Sequence, residues 1–152
     1  NADWLTSATE GRTMFDTSTE TGARAEKRLE EEGIAWLTTV RERDGMPQPI
    51  PVWFLWDGET FLIYSQPDAR KVKNIRENPR VAVNLNSDAG GGNIVRAEGF
   101  AEIDEGAPPA TEVPEYLEKY RPSIPALGMS EDEVAETYRA AIRVRPERWQ
   151  VW

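Results

Sequence analysis

Two Asp-Gly pairs, Asp44-Gly45 and Asp57-Gly58, separate three β-rich runs: IAWLTTV (34–40), QPIPVWFLW (48–56) and TFLIYS (60–65). An Asp-Gly pair suits the positive-φ positions of a tight hairpin, so runs joined this way are held antiparallel. They read as an antiparallel meander of three strands. Downstream, RVAVNLNS (80–87) alternates Val81, Val83 and Leu85 with polar or smaller residues, the pattern of a half-buried strand. NIVRAEGFAEID (93–104) is a long strand with a bulge expected at Gly99, and RVRPERWQVW closes the chain as a last strand interrupted at Pro146. Helices are expected from the Thr17/Glu20 capping box to Gly33, over 68–78 and 115–120, and over 130–142 behind a Ser130/Glu133 capping box. The whole describes an α+β protein, mostly antiparallel, on a closed or split β-barrel with a few short flanking helices. Residues 1–16 read as a flexible N-terminal arm and 17–152 as a single domain.

Composition removes several kinds of chemistry. The 152 residues include neither histidine nor cysteine, so Ser-His-Asp triads, thiolate nucleophiles, disulfides and imidazole metal sites are excluded, and no metal site is expected. If the chain is an enzyme, acid–base work falls to carboxylates, Lys, Tyr or solvent, and a bound cofactor is the obvious candidate to carry the difficult step. No apolar run approaches the roughly 20 residues of a membrane span, and the first residues lack a signal peptide's basic start and apolar centre, so a cytoplasmic location is expected. A net charge of −9 argues against nucleic-acid binding.

Against that acidic background, SQPDARKVKNIRENPR (65–80) holds five cations and two carboxylates. With Asp68 as N-cap, Arg70 and Lys71 fall at the second and third helical positions, where the helix dipole favours anions. Two cations there, beside free backbone N–H groups, describe a phosphate site; the alternative is a solvated helix face balanced by Asp68 and Glu77. Prolines 47, 49 and 51 recur with period two, so their missing donors lie along one strand edge. Val52, Trp53 and Phe54 follow with donors restored, and a planar ring could lie against them; the alternative is an ordinary edge strand protected by its prolines. Of the six tryptophans, Trp53, Trp149 and Trp152 are the candidates for work outside the core.

Residues 33–104, read as GIAWLTTVRERDGMPQPIPVWFLWDGETFLIYS, ARKVKNIRENPRVAVNL and VRAEGFAEI, resemble the pyridoxamine 5′-phosphate oxidase-like split-barrel flavoproteins. The nearest likeness is to the actinobacterial branch (FDOR-B type) that uses the deazaflavin coenzyme F420. The resemblance implies that Tyr64, Ser65, Arg70 and Lys71 hold the cofactor's phosphate. It implies that the strand from Gln48 through Ile50, Pro51, Val52 and Trp53 to Phe54 lines the ring. It further implies a homodimer with two sites at the interface, Trp149 and Trp152 approaching the partner's cofactor. The pyridoxamine phosphate oxidases proper carry basic residues on that strand, and here 48–56 has none, so vitamin B6 oxidation does not fit. The expected activity is an F420-dependent reductase passing a hydride to a conjugated, largely apolar small molecule, with no catalytic side chain identified. The alternatives are an FMN-dependent enzyme of the same fold and a non-catalytic binder of flavin or tetrapyrrole.

Overall fold

The computed structural model describes residues 15–152 and, before them, the backbone of Asp3–Leu5 (β1), Ala8–Thr9 (β2) and Arg12–Thr13 (β3). The rest of the expected arm lies outside the described residues. There follow α1 (Glu20–Glu31), β4 (Ala35–Arg41), β5 (Met46–Val52), β6 (Leu55–Trp56), β7 (Phe61–Ser65), α2 (Arg70–Glu77), β8 (Arg80–Leu85) and β9 (Val95–Ile103). The chain closes with α3 (Pro114–Tyr120), α4 (Glu131–Thr137) and β10 (Ala140–Val151). One antiparallel sheet has the order β5-β4-β8-β9-β10-β7-β6, with β1 added along β10, and curls round its core as an α+β split barrel. No helix among the described residues is long and apolar enough to cross a membrane.

Both Asp-Gly turns form, with Gly45 at φ 72° and Gly58 at φ 94°. They do not make one meander. β5 pairs with β4, β6 pairs with β7, and β5 and β6 sit at opposite ends of the sheet order. The expected strand 48–56 therefore breaks at Trp53-Phe54, where side chains from α3 take over the backbone hydrogen bonds. Two helix limits also move here. Asp16 gathers the backbone N–H and hydroxyl of Ser18, so the chain turns there and Thr19, not Thr17, accepts from Gly22 N–H as the N-cap of α1. α1 stops at Glu31 with Glu32 as C-cap, so Gly33 stands just past its end, as expected. The expected helix 130–142 keeps its Ser130/Glu133 capping box but ends at Thr137, because Ala140–Ile142 pair with Ser65–Ile63 of β7.

The core lies inside the curl. Leu37, Val83, Ile63, Ile142 and Val144 point inward, joined by Leu29 of α1 and by Val72 and Ile75 of α2. Trp149 is 1% exposed and packs edge-on against Phe15 and Trp56. It is a core residue, which corrects the expectation that it approaches a partner's cofactor. β7 is buried on both faces: Phe61 and Ile63 face the barrel, while Leu62 and Tyr64 face a second cluster with Tyr116 and Tyr120 of α3. Those two tyrosines sit four residues apart, one turn of helix, and so share a face.

Gly99 lies opposite Pro146, where the register of β10 slips between Pro146 and Arg148. A Cβ on Gly99 would meet the Arg145 carbonyl oxygen at 2.1 Å and Pro146 Cα at 2.8 Å. The bulge expected from the sequence is thus on the partner strand, and Gly99 is the residue that lets the two backbones approach. Replacing Gly99 by Ala should lower unfolding free energy by about 2–3 kcal/mol in urea titrations, the cost of forcing packed backbone apart.

Candidate functional site

The basic helix starts one residue later than the sequence implied. The Ala69 carbonyl accepts from Val72 N–H at 3.1 Å and Lys73 N–H at 3.4 Å, so Ala69, not Asp68, closes the first turn. Arg70 and Lys71 are therefore its first and second residues. No side chain caps this end and no acidic residue stands in its first turn. The first N–H groups of such a helix have no partner within it. The helix is fixed from below by Asn74, fully buried, whose amide donates to Thr39 Oγ1 on β4 and Gln48 Oε1 on β5, both at 2.9 Å. Gln48, expected to line the ring, thus positions the basic helix.

Lys71 reaches a cavity of about 230 Å³. One wall is Pro51, Val52 and Trp53 at the end of β5, with Tyr64 of β7 beside it. The opposite wall comes from the helical segment, through Tyr116 of α3, Leu127, and Val134 and Tyr138 at α4. Lys71 makes no hydrogen bond or ion pair among the described residues, and burial pushes its ammonium below the ordinary lysine range. Trp53 stacks flat on Tyr120, with ring centroids 4.5 Å apart and planes within 3°. The two rings form an aromatic slab, of which Trp53 lines the cavity and Tyr120 backs it from behind.

The other expected residues are placed as follows. The Tyr64 hydroxyl donates to the Pro108 carbonyl at 2.6 Å, and the buried Ser65 hydroxyl donates to the Gln66 carbonyl at 3.0 Å. Both protons are therefore engaged with backbone. Burial raises the Tyr64 phenol above its ordinary range, Arg143 opposing the shift and Asp104 adding to it. Arg70 is exposed, and Ile50 lies on the outer side of β5 at 41% exposure. Phe54 is fully buried with its ring against Phe61 in the core, which corrects the expectation that its side chain lines a ring site. Trp152 pairs its backbone with Ile94, at the far end of β10 from Ala140 and Ser65. It stands outside the cavity of its own chain.

A model of the pyridoxamine 5′-phosphate oxidase family matches residues 22–152. The chain belongs to that family. Among solved structures, it is similar to an F420 reductase, at 26% identity and TM-score 0.62 over 80% of this chain and 91% of that one. It is also similar to a candidate pyridoxamine 5′-phosphate oxidase from Listeria innocua, at 21% identity and TM-score 0.65 over 85% and 95% of the two chains. The heme storage protein HutZ from Vibrio cholerae shares the fold at 17% identity and TM-score 0.61, over 85% and 92%. No curated protein matches the sequence.

Within this family fold, α3 supplies groups that the sequence reading passed over. The Phe54 N–H donates to the Tyr120 hydroxyl at 2.8 Å, and that hydroxyl donates onward to the Gly33 carbonyl at 2.7 Å or the Phe54 carbonyl at 2.9 Å. Lys119 donates to the Phe54 carbonyl at 2.8 Å and stands 3.7 Å from the centre of the Phe54 ring. The only sequence signal was the Tyr-Leu-x-x-Tyr spacing in EYLEKY, a surface helix turning apolar and aromatic on one face.

Removing the Tyr120 hydroxyl leaves the buried Phe54 N–H unpaired, so Tyr120→Phe should cost about 1–3 kcal/mol in chemical denaturation. A pH series tests Lys119. Burial pushes its ammonium down to about 8 from 10.5, with Glu32 opposing. The unfolded chain therefore holds this proton to higher pH than the folded one, and folding is penalised at neutral pH. That penalty is lifted as pH rises from about 8 toward 10.5. The stability of the wild type relative to Lys119→Met should rise across that window; a flat difference would contradict the assignment.

Proposed function

We propose that this protein is an F420-dependent oxidoreductase of the actinobacterial branch of its family, reducing a conjugated, largely apolar small molecule. The observation that carries the reading is the Lys71 ammonium, without a partner among the described residues, in the uncapped first turn of α2 and opening into a cavity walled by Pro51, Val52 and Trp53. The likeness to an F420 reductase supports it.

The residues present fit a phosphate-bearing ring cofactor. Lys71 and the free N–H groups at the start of α2 would hold the phosphate, with the exposed Arg70 able to close over it. Pro51 and Val52, next to the Trp53–Tyr120 slab, would lie against the ring. Tyr64 and Ser65, their protons engaged with backbone carbonyls, would shape the wall rather than donate to phosphate. When bound, reduced F420 supplies a hydride. The chain's own contribution is anchoring, orientation and a dry apolar face, consistent with its lack of histidine and cysteine. FMN is the alternative cofactor, since a phosphate site of this kind serves either. Storage of haem is less well supported, because the chain offers neither His nor Cys, the commonest axial ligands.

The working form we propose is a homodimer with two equivalent sites at its interface. Trp152 cannot reach the cavity of its own chain, so a second copy is what would bring it there. The exposed Met46, Ile50 and Phe100 offer apolar surface for that contact. Sedimentation should report a dimer, and a stable monomer would remove Trp152 from the site.

Calorimetric titration of F420 and of FMN tests the cofactor. Binding should be tighter for F420, and Lys71→Ala should weaken it by about 1.5–3 kcal/mol, the worth of a charge-assisted hydrogen bond, with unfolding stability unchanged. Affinity should also fall as pH rises, beginning below the usual lysine range because burial already favours the neutral amine. Binding of neither cofactor would overturn the reading.

A further inference from the structure

The cavity holds a second group that the cofactor reading does not use. Tyr116 is 3% exposed, its ring held edge-on by Tyr64 at 5.0 Å and tilted against Tyr120 at 4.9 Å. Its hydroxyl makes no hydrogen bond among the described residues. Every fully enclosed side-chain nitrogen or oxygen among the described residues does have a partner, so the Tyr116 hydroxyl is not fully enclosed, and Tyr116 is one of the residues that line the cavity. The neighbouring Tyr64 and Tyr120 hydroxyls both have partners. A hydroxyl that keeps some exposure and has no protein partner leaves its O–H free for a molecule in the cavity. A ligand that accepts a hydrogen bond there uses that donor.

We infer that Tyr116 selects the substrate, donating a hydrogen bond to a carbonyl or quinone oxygen on a flat conjugated molecule lodged against the Trp53–Tyr120 slab. This rests on reading the cavity as the small-molecule site. Three features fit that ligand class. The slab matches a flat ring. A volume of about 230 Å³ is below the roughly 300–1,000 Å³ of drug-sized pockets, so it admits a small ring system. The donor is neutral: burial, with the other tyrosines close by, lifts the Tyr116 phenol above its ordinary range, so it stays protonated and donates without giving up its proton. A hydrogen bond to such an oxygen draws electron density from the atoms conjugated with it, the polarisation that a hydride acceptor requires. Lys71 stays available for the anion, so charge and carbonyl are read by different residues of one cavity.

The test is equilibrium dialysis of the full chain against menadione and against methylnaphthalene, which has a similar outline but no oxygens. The wild type should prefer menadione, and Tyr116→Phe should lower menadione affinity about three- to tenfold while leaving methylnaphthalene unchanged. Equal losses for both probes, no loss for either, or a loss seen with Tyr138→Phe instead would overturn the assignment. Infrared spectra of wild-type protein with menadione make an independent check: the bound carbonyl stretch should fall below its value in apolar solvent, and an unshifted band would contradict the hydrogen bond. Titration of F420 and FMN on the same preparations separates the two readings. Cofactor binding without a Tyr116 effect sinks this inference alone. A Tyr116-dependent preference for menadione without cofactor binding sinks the cofactor reading and leaves the oxygen contact standing.

Discussion

The structure depends on how two residues, Trp53 and Phe54, leave the sheet. A strand that runs from β5 straight into β6 would carry its ladder partners with it and join the three runs as a flat meander. Instead the Phe54 N–H and carbonyl are taken by the Tyr120 hydroxyl and the Lys119 ammonium. The backbone polar groups stay satisfied without a neighbouring strand, so the chain can cross from one end of the sheet to the other. The same crossing sets Trp53 flat on Tyr120 and opens the cavity between β5, α2 and the helical segment. The split in the barrel and the candidate site are one feature.

The charges on this cavity follow from burial rather than from sequence-wide balance. Several ion pairs stand at exposed positions, such as Arg121 with Glu131 and Arg145 with Glu102, where pairs of this kind contribute little. Lys71, by contrast, is half-buried and has no hydrogen-bond or ion-pair partner among the described residues, so it loses hydration without that compensation. Asn74 keeps the cation in that position by tying α2 to β4 and β5. A cation held at a helix N-terminus in this way is stabilised by an anion, which is why phosphate is the ligand we propose for it.

Local features were legible in the sequence and long-range ones were not. The Asp-Gly turns, the alternation of Val81, Val83 and Leu85, and the Ser130 cap depend on residues within a few positions of each other, and all are present. The proline edge of β5 was also readable, since β5 ends the sheet order and, among the described residues, pairs with β4 alone. The break at Phe54 was not readable, because its partners lie 65 and 66 residues away. Trp149 looked like a chain-end aromatic and is core, because β10 runs from the helical segment back along β9 before it ends. Of the site, Pro51, Val52, Trp53, Tyr64 and Lys71 do converge on one cavity, whereas Phe54 faces the core and Tyr116 and Tyr138 went unnoticed as pocket residues. Their role depends on the fold of α3 over β7, a packing between helical and strand periods that neither segment carries alone.

The central claim is that α2 and β5 together hold a phosphate-bearing ring cofactor. A crystal structure of the protein grown with F420 tests it most directly. The account predicts the phosphate within hydrogen-bond distance of the Lys71 ammonium and the first N–H groups of α2, with the ring along Pro51 and Val52. A cofactor seated elsewhere, with Lys71 still facing an empty cavity, would contradict it.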